Sequence, residues 1–169
     1  MNLEFRKGTL EDSDLFVQFL NEIREGMSRK DWLYLDTPEF VRNMMSDQKM
    51  DFWMAMDGKQ VAAVFSVLYP GLNSENYGYD LGLSDEELLQ VVHMDTAAVH
   101  SNYRGMGLQG RMVSLAEKTL FGQGRKILLS TVHPENQYSL NNMVRQGYQI
   151  QKCVEKYGSE RFILRKNIF

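Results

Sequence analysis

The pattern of apolar and polar residues divides the chain into short strands and amphipathic helices. Alternating or continuous apolar runs predict seven strands, near residues 3–6, 52–56, 61–68, 91–99, 127–132, 148–157 and 161–168. Apolar positions three and four apart predict four helices, after Thr9, from Thr37-Pro38, over 107–121 and over 139–146. A helix joins the strands at 91–99 and 127–132, so these two are parallel, whereas the last two form an antiparallel hairpin. The pattern therefore predicts an α/β fold with a mixed central sheet of about seven strands flanked by four helices.

Composition narrows the class of protein. The 169 residues suit one domain spanning 1–169, and the net charge of −3 does not favour a nucleic-acid partner. No run of about 18 apolar residues is present, so no membrane association is expected. One cysteine, Cys153, rules out an intramolecular disulfide and favours a reducing, cytoplasmic location. No metal site is predicted.

The stretch Val91–Gly110 carries the clearest chemical signal. An apolar, β-branched run ends near Val99, and a basic, glycine-rich turn at 104–110 then leads directly into a helix. The first turn of a helix has unpaired N–H groups at the positive end of the helix dipole, and glycines let a phosphate approach the backbone. Arg104 adds a permanent positive charge. The turn is therefore predicted to bind a phosphate or pyrophosphate.

Two motifs resemble those of the GNAT superfamily of acetyl-CoA-dependent N-acetyltransferases. The strand and turn VHSNYRGMGL, residues 99–108, resemble the family's strand followed by Arg/Gln-x-x-Gly-x-Gly/Ala, although Gln109 stands at the last position and Gly110 follows it. The spacing of Val132, Asn136, Ser139 and Gly147-Tyr148 resembles the family's second motif. The predicted order of elements also matches and covers nearly the whole chain.

The resemblance implies that an acetyl group moves from acetyl-CoA to a primary amine of a small molecule or peptide by direct attack in a ternary complex. It implies a wedge between the strands at 91–99 and 126–132 that holds the cofactor. The backbone groups of Ala97, Ala98 and Val99 would contact pantetheine, and Asn136 and Ser139 of the second motif would contribute further contacts to the cofactor. The pyrophosphate would be bound by Arg104, Gly105, Met106, Gly107, Leu108, Gln109 and Gly110. Many members have a Tyr at the position of Met143, where it protonates the departing thiolate. Whether the protein forms a homodimer is left open.

The acceptor amine must lose a proton, and the strand at 91–99 offers candidates for this step. His93 and Asp95 alternate onto one face of that strand, and a histidine suits proton transfer near neutral pH. The competing interpretation is a satisfied buried histidine and a structural aspartate. Residues 72–90 form an insertion that either covers a site or is a plain surface excursion. Its Tyr77, Tyr79 and Asp80 are the candidates for contact with the acceptor, whereas Tyr148 and Tyr157 are assigned to hairpin packing.

Two other functions also fit parts of the sequence. Gly105-x-Gly107-x-x-Gly110 also matches the dinucleotide fingerprint, but that motif normally opens a fold with several βαβ units and an acid after the second strand. A non-catalytic acyl-CoA-binding domain is the alternative favoured by Met143, while the paired His93 and Asp95 favour an enzyme.

Overall fold

The computed structural model describes residues 1–169, and its central feature is a mixed sheet. The seven strands are β1 (Leu3–Lys7), β2 (Met50–Asp57), β3 (Gln60–Leu68), β4 (Val91–Val99), β5 (Ile127–Val132), β6 (Gln149–Lys156) and β7 (Ser159–Asn167). Their order in the sheet is β1-β2-β3-β4-β5-β7-β6. The prediction of a mixed seven-stranded α/β fold is therefore confirmed.

The helices follow the predicted positions with one addition. They are α1 (Ser13–Glu25), α2 (Pro38–Ser46), α3 (Asp85–Leu88), α4 (Leu108–Gly122) and α5 (Gln137–Arg145). The prediction counted four, and the fifth is the four-residue α3, which a capping box between Ser84 and Glu87 supports. The predicted N-cap of α2 is confirmed, since the Thr37 hydroxyl accepts the Phe40 N–H at 3.2 Å. None of these helices combines the length and the apolar character that crossing a membrane requires.

Two compact units divide the chain, and the first comprises residues 1–67 and 96–116. In it β1 pairs antiparallel with β2, and the inner face of α1 is buried. The Phe16 ring of α1 lies 4.4 Å from the Phe52 ring of β2. Gly8 is needed beside this pair, since a Cβ there would stand 2.0 Å from the Phe52 ring. Local packing thus anchors α1 to this part of the sheet.

The second unit comprises residues 68–95 and 117–169. The parallel pairing of β4 with β5 runs from Val91 to His93 and ends there. β7 pairs antiparallel with both β5 and β6, so β7, the second strand of the closing hairpin, lies between β5 and β6 in the sheet. The apolar core of this unit joins the insertion to three strands and contains Tyr77, Val91, Ile127, Leu129 and Ile163. A single domain spanning 1–169 stays a prediction.

Candidate active site

The glycine-rich turn at 104–110 lies in the first unit, at the start of α4. Gly105 and Gly107 have φ angles of +78° and +67°, values that other residues rarely adopt. A Cβ at either position would meet nothing within 4 Å, so the backbone conformation, rather than local crowding, requires glycine there. The turn therefore presents bare backbone on its outer side.

The N–H groups of this turn have no acceptor within the protein. The first bond of α4 runs from the Arg111 N–H to the Gly107 carbonyl at 3.1 Å, and no protein acceptor faces the N–H groups of residues 105–110. The exposed Arg104 makes no ion pair that would neutralise its guanidinium. Unpaired donors, positive φ angles and a free cation together fit a pyrophosphate, as the sequence predicts.

The second motif lies in the other unit, at the start of α5. Asn136 is the N-cap of this helix, and its Oδ1 accepts the Ser139 N–H at 3.3 Å. The Asn136 amide N–H₂ and the Ser139 hydroxyl retain their capacity to donate. Met143 is 4% exposed and belongs to the core. The three residues from Ala97 to Val99 lie at the end of β4, and their contact with pantetheine stays a prediction.

His93 lies in the second unit, where its surroundings differ from those of a solvent-facing base. The side chain is 3% exposed, and its Nε2 accepts the backbone N–H of Tyr77 at 3.1 Å. The imidazole also stacks on the Tyr77 ring, with 3.7 Å between centroids. Burial, with a smaller effect of the nearby Lys156, lowers the pKa of His93 to about 3. The nitrogen that would accept a proton is occupied, which favours the alternative of a satisfied buried histidine.

Asp95 is half-buried two residues further along β4, and its charge acts on two tyrosine hydroxyls. The hydroxyls of Tyr77 and Tyr157 are hydrogen-bonded to each other. Burial raises the pKa of Tyr77 strongly, and the Tyr157 and Asp95 charges add to this. Burial also raises the pKa of Tyr157, and Asp95 and Glu75 add to it against the opposing Tyr77 hydrogen bond and Arg161. Both hydroxyls are therefore protonated near neutral pH beside a carboxylate.

The insertion at 72–90 is internally bonded and fixed to the last hairpin. Asn76 holds its ends together, since its amide donates to the carbonyls of Gly71 at 2.8 Å and Leu88 at 3.2 Å. The Tyr79 hydroxyl donates to the Leu72 carbonyl at 2.8 Å. Asp80 forms an ion pair with Lys156 at 2.9 Å, so both candidate acceptor contacts have partners within the protein.

The structure thus brings His93, Asp95 and Tyr77 together, while Tyr79 and Asp80 bond elsewhere in the same unit. The sequence predicts hairpin packing for Tyr157, and the structure shows in addition that its hydroxyl is hydrogen-bonded to that of Tyr77. The sequence signal for an unusual role of Tyr157 is the dipeptide Tyr157-Gly158, because a two-residue hairpin turn favours Asn or Gly, and not Tyr, at its first position. No group of three or more possible metal ligands is present.

Comparison with known proteins places the chain in a family. The model of the Acetyltransferase (GNAT) family matches residues 17–148, which is well over half of the chain. The NAA60 structure of Arabidopsis thaliana in complex with acetyl-CoA is similar in fold, at a TM-score of 0.77 and 16% identity over 99% of both chains. A comparison with curated proteins found no match.

Two further solved structures are similar over nearly their whole length. A GNAT-family acetyltransferase from Streptococcus pneumoniae has a TM-score of 0.75 and 16% identity, covering 99% of this chain and 100% of the other. The PaiA N-acetyltransferase of Thermoplasma acidophilum in complex with coenzyme A has a TM-score of 0.71 and 15% identity, again covering 99% and 100%. The chain belongs to the GNAT acetyltransferase family. The predictions of an N-acetyltransferase enzyme and of acetyl-CoA as its cofactor are confirmed.

Proposed function

We propose that this protein transfers an acetyl group from acetyl-CoA to a primary amine of a small molecule or peptide by direct attack in a ternary complex. The observation that carries the proposal is the open set of N–H donors at residues 105–110 beside the unpaired Arg104. In a protein of this family, such a turn suits the pyrophosphate of acetyl-CoA. Acetyl-CoA supplies the activated thioester, and the protein supplies its position and the proton transfers.

The remaining cofactor contacts come from β4 and α5. We assign Ala97, Ala98 and Val99 to the pantetheine amides through their backbone groups. The Asn136 amide, whose oxygen already caps α5, is assigned to the pantetheine arm as a donor through its nitrogen. Ser139 lies one turn further and offers its hydroxyl to the same arm.

We assign the acceptor amine to the residues around Asp95. An amine attacks only after it loses its proton, and a nearby carboxylate can take that proton or hold the ammonium in place. Asp95 has this role in the proposal, because Nε2 of His93 is already bonded to Tyr77. Tyr77, Tyr79 and Asp80 shape the acceptor side through the insertion.

Thermal unfolding with and without acetyl-CoA tests the cofactor site. At 100 times its Kd a ligand adds about 2.7 kcal/mol to the unfolding free energy, which raises Tm by about 5–10 °C in a chain of this size. Arg104→Glu and Gly107→Val should abolish this shift, one by charge repulsion and the other by backbone strain. Lys59→Glu, an exposed charge reversal in the β2–β3 turn, is the matched control and should keep it. An unchanged shift in both turn variants would refute the assignment.

Release of the CoA thiol, measured against a panel of small amines and peptides with free N-termini, tests the transfer itself. Turnover with at least one amine is expected. Binding of acetyl-CoA without turnover on any amine would instead favour a non-catalytic acyl-CoA-binding domain. The exposed, unpaired Cys153 supports a reducing location such as the cytoplasm. A homodimer stays a prediction that light scattering would check.

A further inference from the structure

One buried side chain anchors the exposed segment that carries the glycine-rich turn. Residues 101–107 are exposed except for Tyr103, whose side chain is only 5% exposed. Tyr103 directly precedes Arg104, the first residue of the turn, and the buried Leu108 follows on the other side. Residues 104–107 therefore form an exposed loop with a buried side chain at each end, and Tyr103 is the anchor on the β4 side.

The Tyr103 hydroxyl reaches a carboxylate on another strand of the first unit. It donates to Oδ2 of Asp57 at 2.9 Å, although the two residues lie 46 positions apart. The other oxygen of Asp57, Oδ1, accepts the Asn2 N–H at 3.3 Å just before β1. The hydrogen bond to Asp57, together with burial, raises the pKa of Tyr103, so the hydroxyl stays protonated near neutral pH. Both oxygens of this carboxylate are thus engaged, one by the start of β1 and the other by Tyr103.

The backbone just before Tyr103 is attached to the first unit as well. The His100 N–H donates to the Ala62 carbonyl of β3 at 2.9 Å. Nδ1 of His100 accepts the Asn102 N–H at 3.2 Å and caps the 3-10 turn that ends at Tyr103. The imidazole also meets the Tyr103 ring edge-on, with 5.8 Å between centroids. This short segment is therefore attached to β2 through the Tyr103 side chain and to β3 through its backbone.

The attachment point on β2 is itself fixed by the sheet. Asp57 is the last residue of β2 and pairs with Leu3 of β1, and a two-residue turn, Gly58-Lys59, joins it to β3. Gly58 has a φ of +59°, which suits such a turn. A hydrogen bond to a carboxylate is roughly twice as strong as one between neutral groups. The sheet therefore sets the position of the Tyr103 hydroxyl.

The glycine-rich turn needs an external attachment of this kind because it makes few bonds of its own. The N–H groups of residues 105–110 have no acceptor within the protein, and the positive φ angles of Gly105 and Gly107 leave a bare backbone there. Ordering such a loop when a ligand binds costs affinity, whereas a loop that is already ordered binds without this cost. The bond from Tyr103 to Asp57 holds the chain one residue before the turn begins.

We propose that the hydrogen bond between Tyr103 and Asp57 is a tether that presets the glycine-rich turn for the pyrophosphate of acetyl-CoA. Tyr103 and Asp57 are then positioning residues that act through the backbone of residues 104–110. This inference rests on the proposed function, in which that turn binds the pyrophosphate. The pantetheine arm separates the pyrophosphate from the thioester, so loss of the tether raises the Kd and KM for acetyl-CoA and leaves kcat at saturation unchanged.

Calorimetric titration of acetyl-CoA into matched variants tests the tether. Tyr103→Phe removes only the hydroxyl and Asp57→Leu removes its acceptor, and each should raise the Kd by about tenfold. Tyr34→Phe removes a hydroxyl from a side chain that is 67% exposed, and Asp47→Leu removes an exposed carboxylate at the end of α2. These two controls should keep the wild-type Kd. A wild-type Kd in both Tyr103→Phe and Asp57→Leu would overturn the inference.

A conservative variant separates positioning from a general loss of structure. In Asp57→Asn the amide oxygen can accept the Asn2 N–H while the amide nitrogen donates to the Tyr103 oxygen, so the Kd should stay within about twofold of wild type. A loss in Asp57→Asn as large as that in Asp57→Leu would contradict the tether, because the hydrogen bonds would be kept and only the charge would be lost.

A double variant tests whether Tyr103 and Asp57 act as one unit. Because both changes break the same bond, Tyr103→Phe combined with Asp57→Leu should bind acetyl-CoA no more than about twofold more weakly than either single variant. Losses that multiply to about a hundredfold would show that the two residues act independently, and the tether would then be wrong.

Steady-state kinetics show whether the effect is confined to cofactor binding. Release of the CoA thiol should give a raised KM for acetyl-CoA and an unchanged kcat in Tyr103→Phe. A lowered kcat with an unchanged KM would contradict the positioning role at the turn. Binding that is lost in Arg104→Glu but kept in both tether variants would overturn this inference and leave the proposed function standing. Failure of the wild type itself to bind acetyl-CoA would refute the proposed function, and the tether with it.

Discussion

The buried His93 predicts a specific dependence of stability on pH. In the folded protein its pKa is lowered to about 3, whereas in the unfolded chain it should lie near the ordinary value of about 6.5. Between these two values the unfolded chain binds a proton that the folded protein does not. The free energy of unfolding therefore falls as pH decreases from about 6.5 toward 3, and the full contribution is present above about 6.5.

The size of this effect follows from the difference in the pKa of His93. Each pH unit within the window is worth about 1.4 kcal/mol, so at pH 5 the loss for His93 alone is about 2 kcal/mol relative to pH 7.5. The aspartates and glutamates ordinarily titrate near 4, below this range. The interval from pH 7.5 to 5 therefore isolates histidine titration from most carboxylate titration.

Urea unfolding of wild type and His93→Gln at pH 7.5 and pH 5 measures the effect. Gln can accept the Tyr77 N–H but does not titrate, so the variant should lose about 2 kcal/mol less than the wild type over this interval. For each protein, the free energy of unfolding at pH 5 is subtracted from that at pH 7.5. This difference cancels the stability that the variant loses through altered packing, because that loss is the same at both pH values. Equal losses in the two proteins would refute the neutral, buried state of His93.

Two further predictions concern packing in the second unit. Gly78→Ala would place a Cβ 2.6 Å from a buried leucine side chain, so we expect a loss of about 1–3 kcal/mol in urea unfolding, whereas Gly26→Ala, with its nearest atom at 3.6 Å, should cost nothing. Equal stabilities of these two variants would contradict the close packing at Gly78. Lys166→Met removes a cation that lies 2.9 Å from the largely buried Glu117 and should cost about 1–3 kcal/mol by thermal unfolding. Arg42→Met, which breaks an exposed ion pair, should cost under about 1 kcal/mol, and the reverse ranking would refute the argument.

Local chemistry along the chain determined the secondary-structure elements and the glycine-rich turn at 104–110. The N-cap at Thr37, the cap at Asn136 and the strand–turn–helix around residues 104–110 depend on interactions within a few residues, which a sequence displays directly. The family motifs lie on these local features. For this reason the fold class and the glycine-rich strand–turn–helix could be predicted without any structure.

Tertiary structure alone decided which groups surround His93. Period-2 alternation put His93 and Asp95 on one face of β4, but it could not show that a backbone N–H sixteen residues away occupies Nε2 of His93. The bond between Tyr77 and Tyr157 spans eighty residues and depends on the order of strands in the sheet, where β7 lies between β5 and β6. Strand order arises from nonlocal pairing and burial, which leave no fixed spacing in the sequence. Only the tertiary structure therefore brings the insertion against the last hairpin and joins these two hydroxyls.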